Sequence, residues 1–151
     1  MAYSVFISYS TRDLATATTL QQWIEYAGAT AFLAQYSAVP GTPLSEEIIR
    51  AIKGCDLFLL LWSGNARASE WVPQEIGMAK GTLKPIMPVV LHDGLELPGF
   101  IKDLKYLDLY KDPQAAVEWL HSHVVGLIKK RDSDRLVVLG VVGAIAMAFL
   151  K

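Results

Sequence analysis

The sequence predicts an α/β domain of the doubly wound kind: a flavodoxin-like, five-stranded parallel sheet in the order 2-1-3-4-5, with helices on both faces. Three observations lead there. Strand-length apolar segments alternate with helix-length ones as far as residue 130, and such alternation calls for parallel strands joined by right-handed crossovers. One segment, Leu57–Trp62, is apolar without a break, as a strand covered on both faces must be. The length of 151 residues suits one domain, able to bury about two thirds of its unfolded surface with no covalent staple.

The elements follow in order. "YSVFISYS" holds a first strand, Ser4–Ser8, followed by a polar turn and a helix from about Asp13 to Tyr26, closed by Gly28. Ala29–Ala34 is a second strand. After the loop "QYSAVPGTP", Ser45 caps a helix that runs through Ile52, with Gly54 beyond it. "CDLFLLLWS" is the third and central strand. "ASEWVPQEIGMAKG" is the third helix: Pro73 is tolerated in a first turn that has no use for its missing N–H, and Gly81 is the stop. Trp71 and Glu75, four residues apart, project from one face of it. "PIMPVVL" is the fourth strand, "KYLDL" the fifth, and Asp112 or Pro113 opens a long amphipathic helix through Lys130.

Residues 1–130 therefore read as the domain, 131–135 as a basic and polar linker, and 136–151 as an apolar C-terminal helix. Leu136–Leu150 carries no polar residue, which calls for lipid or another helix around it. Fifteen helical residues reach only ~22 Å, against a hydrocarbon core of ~30 Å. A membrane anchor is the expected reading, with self-association as the alternative, because Gly140, Ala144 and Ala148 make a ladder of small residues on one face. The basic residues of Lys129–Arg135 would keep the domain on the cytoplasmic side.

Net charge is −1 with the basic residues scattered, so no footprint for nucleic acid is present. Cys55 is alone and no secretory signal opens the chain, which suits a reducing cytosol. Ligands of doubly wound sheets sit beyond the carboxyl ends of the strands, near the first and third. That rim holds "SYSTRD", the Pro/Gly loop after the second strand, and Ser63 through Glu75. A phosphoacceptor receiver is excluded, since the first and third strands end in Ser8-Tyr9-Ser10 and Trp62-Ser63 rather than in acids. Neither glycine-rich phosphate motif follows a strand. His121 and His123 point to opposite sides of a helix, cannot share a metal, and read as solvated; His92 takes no role.

"VFISYSTRD", "FLAQYSAVPGTPLSEEI", "CDLFLLLWS" and "SEWVPQEIG", in that order and spacing, resemble a TIR domain of bacterial type over Ala2–Lys130. The departures are Ala34, where many relatives have an acid, and Ser10 and Thr11, where many have basic residues. The resemblance implies either of two activities. Some TIR domains cleave NAD at the nicotinamide–ribose bond with a glutamate at the motif position of Glu75; others only assemble, through the loop that is here Gln35–Pro43.

The chemistry of NAD makes one carboxylate sufficient. Most glycosidases need two because an alkoxide leaving group must be protonated. Nicotinamide leaves neutral, so what remains is to stabilise an oxocarbenium-like sugar, which one anion does. No metal or cofactor is needed, NAD being the substrate. Trp71 and Trp62 offer rings for stacking, or else pack the core. Ser8, Tyr9, Ser10 and Arg12 would face the ribose or phosphates, with Ala34 and Gly41 on the adjoining rim; Arg12 equally suits a local pair with Asp13, and Glu75 a surface charge at a helix start. The expected function is a membrane-tethered NAD glycohydrolase, activated by clustering and used in antiphage defence. The alternatives are a non-catalytic TIR scaffold and a nucleoside-processing transferase with a carboxylate nucleophile.

Overall fold

The computed structural model of the chain describes residues 2–36, 41 and 43–149, with the side chains of 146, 148 and 149 outside the description. Five strands, β1 (Ser4–Ser8), β2 (Thr30–Leu33), β3 (Leu57–Trp62), β4 (Ile86–Val90) and β5 (Leu107–Asp108), form one sheet in the order β2-β1-β3-β4-β5. Every pairing is parallel. The expected order and orientation are those observed. Helices α1 (Leu14–Tyr26), α2 (Glu46–Gly54), α3 (Gly64–Arg67), α4 (Val72–Gly81) and α5 (Pro113–Phe149) make the connections and cover the faces.

Side-chain alternation along β1 sorts the two halves of the core. Val5 and Ile7 face one cluster with Leu57, Leu59 and Leu61, beneath Leu20 and Ile24 of α1 and Leu120 and Val124 of α5. Phe6 faces the other, with Phe58, Leu60, Ile48, Ile52, Val72 and Ile76, beneath α2 and α4. Register puts Phe6 opposite both Phe32 and Phe58, and the three rings stack at 5.5 and 5.4 Å. Burying such a side chain stabilises the fold by about 1.5–3 kcal/mol. Two residues further along the same face comes Ser8, which is thereby aimed under α4 rather than α1.

Capping accounts for the helix starts. Ser45 accepts from the Ile48 N–H and opens α2, as expected. Ser63 does the same for Ala66, and this opens α3, a single turn lying before the stretch expected as the third helix and not itself expected as one. Pro73 sits in the first turn of α4, where Ser69 Oγ takes the N–H groups of Trp71 and Val72. His121 and His123, expected to be solvated, are half-buried against rings: His121 lies 5.2 Å from Tyr26, and His123 stacks on Trp119 at 4.6 Å.

The C-terminal region differs from expectation in two respects. Residues 131–135 are no linker, because α5 runs through them without a break. Their composition is polar, but Lys and Arg are good helix formers and no Gly or Pro interrupts the segment. Arg131 fastens the helix to the end of the sheet, 3.4 Å from Asp56 and over the Tyr3 ring. Beyond it the described side chains stand in the open, from Leu136 at 69% exposed to Met147 at 70%. The expected membrane anchor is not supported: among the described residues no helix is long and apolar enough to cross a membrane. The apolar run is bounded by Arg135 and Lys151. Of the small-residue ladder, Gly140 and Ala144 are exposed, and the Ala148 side chain lies outside the described residues.

Because the described side chains of the tail are exposed, its removal is expected to cost the domain little. Deleting residues 136–151 should move the thermal midpoint by no more than about 2 °C, as surface changes do in a domain of this size. A larger fall in a melting curve followed by circular dichroism would show that the tail packs on the domain.

Candidate functional site

The site is built where β1 ends, β2 ends and α4 begins. On α4 the buried positions are Val72, Glu75, Ile76 and Ala79, a single stripe at helical spacing. Glu75 thus occupies a core position, with none of its surface exposed. Trp71 lies one turn earlier, its carbonyl accepting from the Glu75 N–H, and is 9% exposed. From β1, Ser8 Oγ donates to Glu75 Oε1 at 2.7 Å. From just beyond β2, Tyr36 places its hydroxyl 2.8 Å from Oε1 and 2.7 Å from Oε2. The Tyr36 ring is parallel to the Trp71 indole, with centroids 6.0 Å apart and an interplanar angle of 9°.

This environment changes the acid. Burial pushes the Glu75 carboxyl up from 4.5 to about 7, and the Ser8 and Tyr36 hydrogen bonds partly offset the rise. Tyr36 has one proton to give, so its second short contact is satisfied when the carboxyl carries a proton and donates it back. The Tyr36 phenol is raised in turn, first by burial and then by the charge of Glu75. Among the described residues no buried side-chain nitrogen or oxygen lacks a partner.

The expected residues divide into those at the acid and those held elsewhere. Glu75, Ser8 and Trp71 come together. Tyr9 and Ala34 tie the neighbouring strand ends to each other, the Tyr9 hydroxyl donating to the Ala34 carbonyl at 2.7 Å. The Tyr9 ring also flanks Tyr36 at 6.1 Å. Ser10 is buried and caps the turn Thr11–Asp13 by accepting from the Arg12 N–H. Arg12 itself is exposed, and among the described residues no ion pair or hydrogen bond joins its side chain to Glu75 or Asp13. Asp13 instead accepts from Ser63 and Asn65. Trp62 belongs to the core, buried with Phe58 and Leu60 on the α2 and α4 side, its indole N–H taken by the Glu96 carbonyl at 2.9 Å. Gly41 is exposed with φ of +79°, a conformation that glycine adopts freely. Pro40 lies outside the described residues.

Tyr36 is the residue at the acid that the sequence does not single out. It was visible only as a member of the loop Gln35–Pro43, because its partner stands 39 residues away. Cys55 is buried and its thiol is pushed up to about 11, so it stays protonated. His92 is exposed on the rim.

The chain is thus a doubly wound parallel α/β domain with a buried acid beside two parallel aromatic rings at the carboxyl rim of its sheet, the edge at which such sheets place their ligands. Within it the chain belongs to the TIR domain family, whose model matches residues 5–121. Among solved structures it is similar to the TIR domain of the Toll-related receptor TRR-2 from Hydra magnipapillata, with a TM-score of 0.65 and 24% identity over 81% of this chain and 98% of that one. It is similar to the CMP N-glycosidase BcmB of Clostridium botulinum, with a TM-score of 0.59 and 20% identity over 80% and 98%. It also resembles a TIR-STING receptor from C. gigas, with a TM-score of 0.60 and 25% identity over 82% of this chain but 38% of the receptor. No curated protein matches.

Proposed function

We propose that the chain is an NAD glycohydrolase in which Glu75 stabilises the sugar as its bond to nicotinamide breaks. The observation that carries the reading is the Glu75 carboxyl, buried to 0% exposure and held by Ser8 and Tyr36 beside Trp71. An acid in a core position costs stability, and such placements gather where chemistry uses them. The fold is compatible with base–sugar cleavage, since the clostridial protein of the same architecture is a CMP N-glycosidase.

The electron pair of the bond from ribose C1′ to the pyridinium nitrogen moves into the ring, which departs as neutral nicotinamide without a proton. Positive charge then grows on C1′ and the ring oxygen. The ionised Glu75 beside it is worth most at that moment, because the site excludes the water that would screen it. Ser8 fixes the carboxylate oxygen that meets the sugar, and Trp71 offers the face on which a ring stacks. Water attacks C1′ and passes its proton to Glu75, giving ADP-ribose; attack by an internal nucleophile gives a cyclic form instead. Copies would cluster through the loop Gln35–Pro43, aided by the exposed apolar tail, and in a bacterial cell the loss of NAD would serve antiphage defence.

Nicotinamide release from NAD by the purified, concentrated protein tests the reading. No turnover at any concentration would favour the scaffold, in which TIR surfaces only assemble. The pH profile adds a second check. The anion is the active form and the carboxyl is raised to about 7, so kcat/KM should climb through pH 7 and level off above it, losing about tenfold per unit below. A profile flat from pH 5 to 8 would remove Glu75 from the reaction.

A further inference from the structure

The basic residues are scattered along the chain, but the fold gathers many of them at one end. In a parallel sheet each connecting helix runs back to the amino ends of the strands. There lie Lys53 in the last turn of α2, Lys80 and Lys84 at the end of α4, Lys105 before β5, and Lys129 and Lys130 on α5. Of the acids at this end, Asp56 and Asp132 are engaged by Arg131, and Glu25, Asp103 and Asp134 complete the set. The carboxyl rim is the reverse, with Glu46, Glu47, Glu70, Asp93, Glu96 and Asp112 outweighing Arg12, Arg67 and Lys111. A net charge of −1 thus conceals a basic end and an acidic one.

Apolar side chains stand out from the fold among these lysines. At the end of α4 the Leu83 N–H donates to the Lys80 carbonyl and the Lys84 N–H to the Ala79 carbonyl, a helix ending that puts Leu83 in the left-handed position usually held by glycine. Its φ is +59° and it is 90% exposed, so a leucine here strains the backbone and gains almost no burial. Lys80, Leu83, Lys84 and Leu104 line one groove, which continues past Pro85 and Ile86 to Lys105, Tyr106 and Trp119. Both of these rings are half-exposed. The domain also releases α5 at this end, where Arg131 meets Asp56 and Tyr3. The exposed apolar side chains from Leu136 onward therefore begin beside the same lysines.

We propose that the amino end of the sheet is a docking face for an anionic lipid surface, with the lysines on the headgroups and Leu83, Tyr106 and Trp119 in the interfacial layer. Lysines interleaved with exposed apolar and aromatic side chains are the complement of such a surface. Docking of this kind requires no helix to cross the bilayer. A nucleic acid would satisfy the lysines and leave Leu83 and the tail in water. On the lipid the opposite rim, with Glu75, is turned toward the aqueous side, where a soluble nucleotide reaches it.

Sedimentation of the full chain with vesicles tests the face. The wild type should bind phosphatidylcholine vesicles containing about 30% phosphatidylglycerol far more tightly than pure phosphatidylcholine, and high salt should remove the difference. The triple variant Lys80→Gln, Lys84→Gln, Lys105→Gln should bind the anionic vesicles on the order of a hundredfold more weakly, at roughly fivefold per lysine. Leu83→Gly relieves the backbone and should keep the thermal midpoint, yet weaken vesicle binding by about tenfold. Orientation is read separately. An environment-sensitive dye on Leu83→Cys should shift to the blue on anionic vesicles, and the same dye on Glu70→Cys, at the acidic rim, should not; Cys55 is buried and does not compete for the label.

Equal binding to neutral and anionic vesicles, or an unchanged triple variant, would overturn the proposal and leave the tail as the lipid contact. A blue shift at position 70 would overturn the orientation. Assemblies that ignore vesicles would show that a second copy covers the apolar surface, and a duplex oligonucleotide bound as tightly through the same lysines would show a polyanion site; either sinks the lipid reading. Binding is measured without NAD, so the result is independent of the chemistry at Glu75.

Discussion

Glu75→Gln lowers kcat for nicotinamide release by on the order of a thousandfold, the scale reached when one preorganised electrostatic group is removed from a transition state. That factor corresponds to about 4 kcal/mol of barrier. The amide has the shape of the acid and can still accept from Ser8 and face Tyr36, so the pocket is kept and only the charge is lost. KM should change little, because the anion is needed most when C1′ carries positive charge, not when NAD first binds. Chromatographic assay of nicotinamide, with circular dichroism to confirm the fold, decides the matter. A loss of less than tenfold would mean that the barrier is lowered by something other than this carboxylate.

Much of the fold and part of the site were legible in the sequence. The unbroken run Leu57–Trp62 fixed the central strand, and period-two alternation from Phe6 carried Ser8 to the face beneath α4. The stripe Val72, Ile76, Ala79 with Glu75 inside it is the local sign that this acid is buried, since an exposed helix-start glutamate would sit off that stripe. Alternation also accounts for Trp62: with Phe58 and Leu60 it shares a face turned into the core, so its place at the end of β3 did not bring it to the rim. Arg12 and Tyr36 show the limit. A charged residue at a turn has no periodicity to orient it, and the Tyr36 contact joins residues 39 positions apart, a distance over which no local pattern speaks. The tail shows a different limit: polar composition suggested a linker at 131–135, but helix propagation from α5 costs less than breaking it.

The second large effect is on stability, and it follows from the same burial. Glu75 titrates near 4.5 in the unfolded chain and at about 7 in the native one. Between those values the native state holds a proton that the unfolded state has released, so stability falls as pH rises across the window and the fall is complete above 7. A separation of about two and a half units amounts to roughly 3 kcal/mol. Glu75→Gln has no such titration, so at pH 8 it should be more stable than the wild type by about that amount, roughly 5–10 °C in midpoint for a chain of this size. At pH 4, where the wild-type acid is protonated in both states, the two proteins should melt together. Urea or thermal unfolding at the two pH values measures the difference directly. An equal gap at both would mean that the gain comes from packing and not from the cost of a buried charge. The predicted divergence with rising pH ties function to energetics: the substitution that removes catalysis is the one that relieves the fold, as expected where a site keeps its acid at the expense of stability.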